Sequence, residues 1–277
     1  MLLIVNQLTN SELIVNNDGS VYHLGIRPEH LSETVITVGD PERVASVTQH
    51  FDEVYFSIQN REFKTSGGRI GNKEITVLST GIGTDNVDVV FNELAFLLNY
   101  DLKSLKRNPI LKGLEVVRLG TSGTVSAQHP MDSIVYSKAA ISFEDLFQFY
   151  THSFDTVVFD GKNYPVIQCD AFLEKKFAKY APSLTLTAKG FYGPQFRNAQ
   201  IAPRYGLEDI LGLSYGGRTV GNIEMETAGI YGLSSLLGFK AISINALLAD
   251  RLNGTFSKDP AAVIDRMIIE SIDTLCS

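Results

Sequence analysis

The chain has 277 residues, 44% of them hydrophobic and 20% charged, with a formal net charge of −7. That balance excludes a general nucleic-acid surface, which needs a basic face, so an anionic ligand has to be met by a few placed cations. The two cysteines, Cys169 and Cys276, form neither a metal spacing nor a disulfide framework, and read as reduced thiols of a cytoplasmic protein.

The opening Met1-Leu-Leu-Ile-Val-Asn6 lacks the positive n-region of a secretory leader. No apolar run approaches the roughly 20 residues that cross a bilayer, and no linker-like stretch divides the chain, so residues 1–277 are expected to form a single domain. Glu33-Thr-Val-Ile-Thr-Val-Gly39 is β-branched and predicts a strand. It runs into Asp40-Pro41-Glu42-Arg43, where Asp40 caps a helix, Pro41 fits its first turn and Glu42 complements the dipole. Ile75–Thr80 predicts a second strand, then Gly81-Ile82-Gly83 and a helix over about 85–100. There Val87, Val90, Phe91, Leu94, Leu97 and Leu98 share one face.

A third strand, Glu115–Gly120, ends in the turn Thr121-Ser122-Gly123-Thr124. Further strands are expected near 132–139, 184–189 and 240–248. A helix over about 226–237 is closed by Gly238, and a last one opens at Asp259-Pro260 with Ile264, Met267, Ile268, Ile272 and Leu275 on one side. Strands alternating with helices predict a three-layer α/β/α sandwich around a mixed, twisted central sheet. In such folds ligands sit beyond the carboxyl ends of the strands.

Those strand ends carry the chemistry. Gly39, Gly81, Gly83 and Gly120 let backbone approach a ligand, Thr121 adds a hydroxyl, and Arg43 and Arg118 bring guanidinium forks suited to phosphate. An arginine inside a strand, as Arg118 is, must be paired or serve a ligand, and a structural ion pair explains it as well as function does. Gly81–Asn86 lacks the third glycine of a dinucleotide fingerprint, and Gly120-Thr-Ser-Gly-Thr124 lacks the lysine of a Walker A loop. Glu224 and Glu226 could orient a sugar diol, or simply be solvated or capping residues.

With these segments in order, the chain resembles the nucleoside phosphorylase family, its uridine phosphorylase branch most closely, from about Tyr22 to Asp250. The motifs are Val38-Gly-Asp-Pro-Glu-Arg-Val44, Asn60-Arg-Glu-Phe63, Ser79-Thr-Gly-Ile-Gly83, Arg118-Leu-Gly-Thr-Ser-Gly123, Gly190–Arg197 and Asn222-Ile-Glu-Met-Glu-Thr227. The resemblance implies a phosphorylase/hydrolase-like fold and phosphate binding by Gly39, Arg43, Arg118, Thr121 and, from a neighbouring subunit, Arg61. It implies ribose binding by Glu226, Met225 and the supporting Glu224, with His23 reaching the 5′ hydroxyl across an interface. The base would be read by Phe191, Gln195 and Arg197, with Arg251 in support. Gln195, Arg197 and Glu226 would be the catalytic groups.

The implied activity is phosphorolysis of uridine, with inorganic phosphate as co-substrate, no cofactor, no catalytic metal, and a dimer-based homohexamer. Glu62 resembles the residue that holds a monovalent cation between subunits in some relatives, although the turn Thr84-Asp85-Asn86 departs from their smaller residues. Purine relatives carry an aspartate near Asp250, which keeps a purine nucleoside phosphorylase as the alternative. A nucleosidase using water would not need three phosphate arginines. Leu248 and Ala249 are expected to wall the base. His30, His50, His129 and His152 match nothing in the family.

Overall fold

In a computed structural model of the protein, residues 5–277 are described; residues 1–4, the start of the opening segment that lacks the features of a secretory leader, lie outside them. The elements in chain order are β1 (Thr34–Val38), α1 (Pro41–Thr48), β2 (Glu53–Asn60), β3 (Phe63–Ile70), β4 (Lys73–Ser79), α2 (Thr84–Asn99), β5 (Tyr100–Asp101), β6 (Lys106–Arg107) and β7 (Glu115–Thr124). There follow β8 (Ile134–Phe143), β9 (Asp155–Phe159), β10 (Lys162–Gln168), α3 (Ala171–Lys176), β11 (Ala181–Ala188), β12 (Ser214–Tyr215), β13 (Arg218–Glu224), α4 (Thr227–Leu237), β14 (Lys240–Asp250), β15 (Thr255–Phe256) and α5 (Pro260–Cys276).

One 13-stranded mixed sheet forms the middle layer, its main path running β12-β13-β11-β8-β14-β7-β1-β4-β3-β2. Helices cover both faces. Val87, Val90, Phe91 and Leu94 of α2 pack with Ile230, Tyr231 and Leu233 of α4 in one cluster. Val44 and Val47 of α1, Leu173 of α3, and Met267, Ile268 and Ile272 of α5 fill the other. This is the expected α/β/α arrangement, and β1, all five of whose residues are buried, reads as continuous apolar and β-branched sequence because both its faces are covered.

The helix ends follow their sequences. Asp40 accepts from the Glu42 amide at 2.8 Å ahead of Pro41, Asp259 accepts from the Ala262 amide at 3.1 Å ahead of Pro260, and Gly238 closes α4 with φ 77°. Both cysteines are free, and burial pushes the Cys169 thiol up to about 12. Among the described residues no helix is long and apolar enough to cross a membrane.

The third strand corrects the sequence reading. Thr121–Thr124 is not a turn: β7 continues through it, because β14 pairs Ala246 with Thr121 and Leu247 with Ser122, and β13 pairs Ile223 with Gly123 and Asn222 with Thr124. The link between β13 and β7 also closes β7, β14, β8, β11 and β13 into a ring. On the other edge of β7 the ladder with β1 stops at Arg118, and the ladder with β13 begins only at Gly123. Leu119–Ser122 therefore expose one backbone edge, and the main cavity opens there.

Candidate active site

A cavity of about 740 Å³ collects Gly39, Arg43, Arg118, Thr121, Gln195, Arg197 and Glu226. Its floor is an ion cluster. Arg118, 4% exposed, projects from β7. Its Nη2 donates to Glu226 Oε2 at 2.6 Å and lies 3.1 Å from Glu224 Oε2; its Nη1 donates to Asn245 Oδ1 at 2.9 Å and Ser243 Oγ at 3.3 Å. Gly120 is required beneath it, since a Cβ there would meet Nη1 at 1.8 Å.

Glu224 ends β13 and accepts from Thr187 Oγ1 at 2.6 Å and from the amides of Glu226 and Thr227, each at 2.9 Å. It ties the first turn of α4 to the sheet. Glu226, the N-cap of α4, also accepts from the Gly83 amide at 2.8 Å, at the positive end of α2. One guanidinium serves two buried carboxylates. Burial, with the nearby Glu224 charge, accordingly holds the Glu226 carboxyl above its usual range against the opposing pull of Arg118.

Arg43 contrasts with Arg118. It comes from the first turn of α1 and reaches the open edge of β7, where the one hydrogen bond of its side chain among the described residues is a long 3.4 Å approach of Nη1 to the Leu119 carbonyl. Burial first, then the neighbouring Arg118, pull its guanidinium below the usual arginine range. A largely desolvated cation without an ion-pair partner among the described residues, beside Gly39 and the Thr121 hydroxyl, is a place for an anion.

The opposite wall is the loop after β11. Phe196 takes a left-handed φ of 60°, a conformation that costs of order 1 kcal/mol outside glycine. Its ring sinks into the cluster of Leu184, Leu186, Ile210 and Val220, and the flanking side chains of Gln195 and Arg197 turn to the cavity. Gln195 is 3% exposed, yet its amide makes no side-chain hydrogen bond among the described residues. Arg197 Nε donates to the Phe191 carbonyl at 3.0 Å and its guanidinium lies 4.1 Å from the Phe191 ring centroid. Leu248 and Ala249 complete an apolar wall, as expected, with Met225 beside Glu226.

Three anticipated residues lie outside this lining. Arg251 sits behind the loop, against Gly123, and its Nη2 props the Gln195 carbonyl at 2.9 Å. Burial, then Arg197, push its guanidinium down to about 10. His23 gives its Nδ1 to Glu93 Oε1 at 2.7 Å. Arg61, at φ 54° in the β2–β3 turn, lies over the Tyr22 ring at 4.8 Å. His23 and Arg61 thus share a surface patch around Tyr22, which is 38% exposed.

Asp250 is turned away. Its Oδ1 accepts from the amides of Leu252 and Asn253, and its Oδ2 from Asn253 Nδ2 at 2.7 Å. Those bonds to Asn253 hold its carboxyl below the usual aspartate range. No local motif marks Phe256, which borders the cavity, or Asn245, which lies behind Arg118; Asn86, from the turn that departs from the family, borders the cavity as well. Glu62 stands on the rim. A second cleft of about 620 Å³, bordered by Glu144, His152 and Lys189, holds none of the residues that resemble family motifs.

The family model for the phosphorylase superfamily matches residues 33–270. A uridine phosphorylase from Thermococcus kodakarensis is 25% identical over 257 residues, covering 92% of this chain and 86% of that protein. A DeoD-type purine nucleoside phosphorylase from Buchnera aphidicola is 23% identical over 261 residues, covering 92% of this chain and 99% of that one. A solved Trypanosoma brucei nucleoside phosphorylase, described as showing uridine phosphorylase activity, shares the fold with a TM-score of 0.85 at 24% identity, covering 95% of this chain and 98% of that one. Match and fold agree: the chain belongs to the phosphorylase superfamily, as a member of its nucleoside phosphorylase family.

Proposed function

We propose that the chain is a uridine phosphorylase, which converts uridine and inorganic phosphate reversibly to uracil and ribose 1-phosphate in cytoplasmic nucleoside salvage. The observation that carries this is the unspent amide of buried Gln195, which offers a donor and an acceptor beside Arg197 in the same cavity as Arg43 and Glu226. A pyrimidine edge presents a matching carbonyl and N–H. The uridine phosphorylase from Thermococcus kodakarensis supports the same choice.

On this reading Arg43, Gly39 and Thr121 hold phosphate beneath the anomeric carbon, with Arg118 behind them, so that a bimolecular encounter becomes a positioned one. Glu226 accepts from the ribose diol, Met225 packs on the sugar, and Glu224 fixes Glu226 and Arg118. As the glycosidic bond breaks, phosphate stabilises the oxocarbenium character at C1′, and Gln195 and Arg197 stabilise the charge growing on uracil. Arg251 acts through Gln195 by holding its backbone.

The patch with His23 and Arg61 belongs, on this reading, to a neighbour's site, which makes a dimer the minimal active unit and a ring of three dimers the assembly. Among the described residues no three His, Cys, Asp or Glu side chains gather as metal ligands.

The second reading, a purine nucleoside phosphorylase, is kept by the DeoD-type relative. It would need Asp250 to leave its bonds in the 250–253 turn. Base release from uridine and inosine, with and without phosphate, tests both. Phosphate-dependent uracil release with little hypoxanthine supports the proposal. Hypoxanthine release favours the purine reading, and release without phosphate means hydrolysis.

A further inference from the structure

Glu93 is a buried carboxylate that the cavity does not use. It stands on α2 in sequence with Val90, Phe91 and Leu94, at 7% exposure, and among the described residues no lysine or arginine lies at ion-pair distance. Burying a charge is costly unless donors satisfy it. Its donors among the described residues all come from one turn, some 70 residues earlier in the chain. Glu93 Oε1 accepts from the His23 amide at 2.9 Å and from His23 Nδ1 at 2.7 Å, and Oε2 accepts from the Leu24 amide at 2.8 Å. Asn60 takes the carbonyls of the same turn: its Nδ2 donates to Tyr22 at 3.1 Å and to His23 at 2.9 Å. The turn is therefore pinned through both its amides and its carbonyls.

That arrangement also fixes the chemistry of the His23 ring. An ionised carboxylate only accepts, so the ring hydrogen sits on Nδ1. In the neutral ring Nε2 is then a bare acceptor, and it makes no hydrogen bond among the described residues. The side chain is 32% exposed, in the surface patch with Tyr22 and Arg61. Whatever meets Nε2 has to bring a hydrogen, which a carbonyl or an ionised phosphate oxygen does not. In the proposed reaction Glu226 takes the ribose diol, and Gln195 and Arg197 take the base. The 5′ hydroxyl is the donor left over.

We propose that Glu93 is a positioning residue, which holds His23 in the Nδ1–H tautomer so that Nε2 accepts from the 5′ hydroxyl of a nucleoside in the neighbouring subunit. The proposal rests on the reading of the Tyr22 patch as part of a neighbour's site.

The test compares wild type, His23→Ala and Glu93→Gln on uridine and 5′-deoxyuridine, and reads the His23 tautomer from nitrogen-15 shifts of histidine-labelled protein. The glutamine amide turns an N–H toward Nδ1 and so favours the opposite tautomer. Glu93→Gln should lower kcat/KM for uridine ~10-fold, the loss of about one hydrogen bond, and leave 5′-deoxyuridine within about twofold. The shifts should show Nδ1 protonated and Nε2 bare in wild type at the assay pH, and the reverse in Glu93→Gln. An equal loss on both nucleosides, no loss, or an unchanged tautomer in Glu93→Gln overturns the proposal. Should Glu93→Gln fail to fold, the wild-type shifts still decide, since a bare Nδ1 or a doubly protonated ring overturns it. If His23→Ala does not distinguish the two nucleosides, the shared-site reading fails and the proposal falls with it. If His23→Ala distinguishes them and Glu93→Gln does not, only the role of Glu93 falls. If the wild type cleaves inosine instead, inosine and 5′-deoxyinosine carry the comparison unchanged, and a wild type that cleaves neither overturns both readings.

Discussion

Replacing each glutamate of the floor by glutamine should separate stability from activity. Glu224 accepts from Thr187 Oγ1 and from the amides of Glu226 and Thr227, and faces Arg118. Glutamine offers one oxygen to these donors and turns an N–H against the rest. Bonds to a charged acceptor contribute about 1.5–3 kcal/mol each, so the loss of about two should cost Glu224→Gln ~3–5 kcal/mol. At roughly 2–4 °C per kcal/mol the melting temperature should fall by ~10 °C. The Glu226 carboxylate has only Gly83 and Arg118 as partners among the described residues, and its burial already disfavours its charge. Glu226→Gln leaves one arginine facing one carboxylate and should change stability by no more than ~1 kcal/mol.

The sign with pH follows from the raised Glu226 carboxyl. Its ionisation penalty is absent below the ordinary carboxylate range and grows as pH rises through it, so Glu226→Gln should gain on wild type between pH 4 and pH 7. Activity should run the other way, with kcat/KM for uridine down ~100-fold as the charged acceptor for the diol is lost. Thermal melts and steady-state kinetics on both variants decide this. A Glu224→Gln protein melting within about 2 °C of wild type, or a Glu226→Gln protein destabilised as much as Glu224→Gln, would refute the reasoning.

Arg43→Ala should raise phosphate KM ~30- to 100-fold, with uridine binding little changed and stability unharmed, because it removes a largely desolvated cation that has no ion-pair partner among the described residues; phosphate titrations at fixed uridine measure this. Arg197→Ala should lower kcat/KM for uridine ~100-fold or more with an unaltered melt, as one preorganised donor to developing charge is lost. Gly120→Ala forces the Arg118 guanidinium from its place and should cost about 1–3 kcal/mol in the melt together with phosphate use; a wild-type KM for phosphate would contradict the packing. Mixed dimers of His23→Ala and Glu226→Gln chains should regain activity that neither variant has alone, and failure to complement would place His23 outside a shared site.

Much of the scaffold was legible because its helices bury one stripe and its central strands are covered on both faces. Val87, Val90, Phe91 and Leu94 are buried where their spacing puts them, and Asp40-Pro41 and Asp259-Pro260 open the helices they announce. The hairpin of β2 and β3 was not legible. Gly67 and Gly68 look like turn residues, yet they lie within β3 because the Phe56 ring and the Glu53 carbonyl pack where their side chains would be. Thr121–Thr124 looked like a turn for a related reason: its strand pairing comes from β13, a partner distant in sequence.

The site residues were visible as motif members, but their partnerships were not. Arg118 could have been a phosphate ligand or half of an ion pair, and its Nη groups are committed to Glu226, Asn245 and Ser243. Nothing local marks Asn245 or Thr185, each an ordinary polar residue in a strand until the ring closes, and Asn222 enters only as the first residue of the segment that carries Glu224 and Glu226. Arg251 resembled a base-site residue, and the fold places it one shell back, against the Gln195 carbonyl.

The two walls of the cavity are anchored differently, and that bears on how such a protein can change its diet. Arg118, Thr121 and Glu224 stand on strands locked into a closed ring, with Glu226 two residues past the end of β13, and there a single substitution disturbs several neighbours at once. Gln195 and Arg197 come from a short exposed loop fastened by the Phe196 ring, the Arg251 prop and a Lys189–Asp145 ion pair. Selection can therefore rewrite the segment from Lys189 to Arg197 and leave the floor intact. Transplanting that loop between relatives is the natural route to a new nucleobase on an old catalytic base plate.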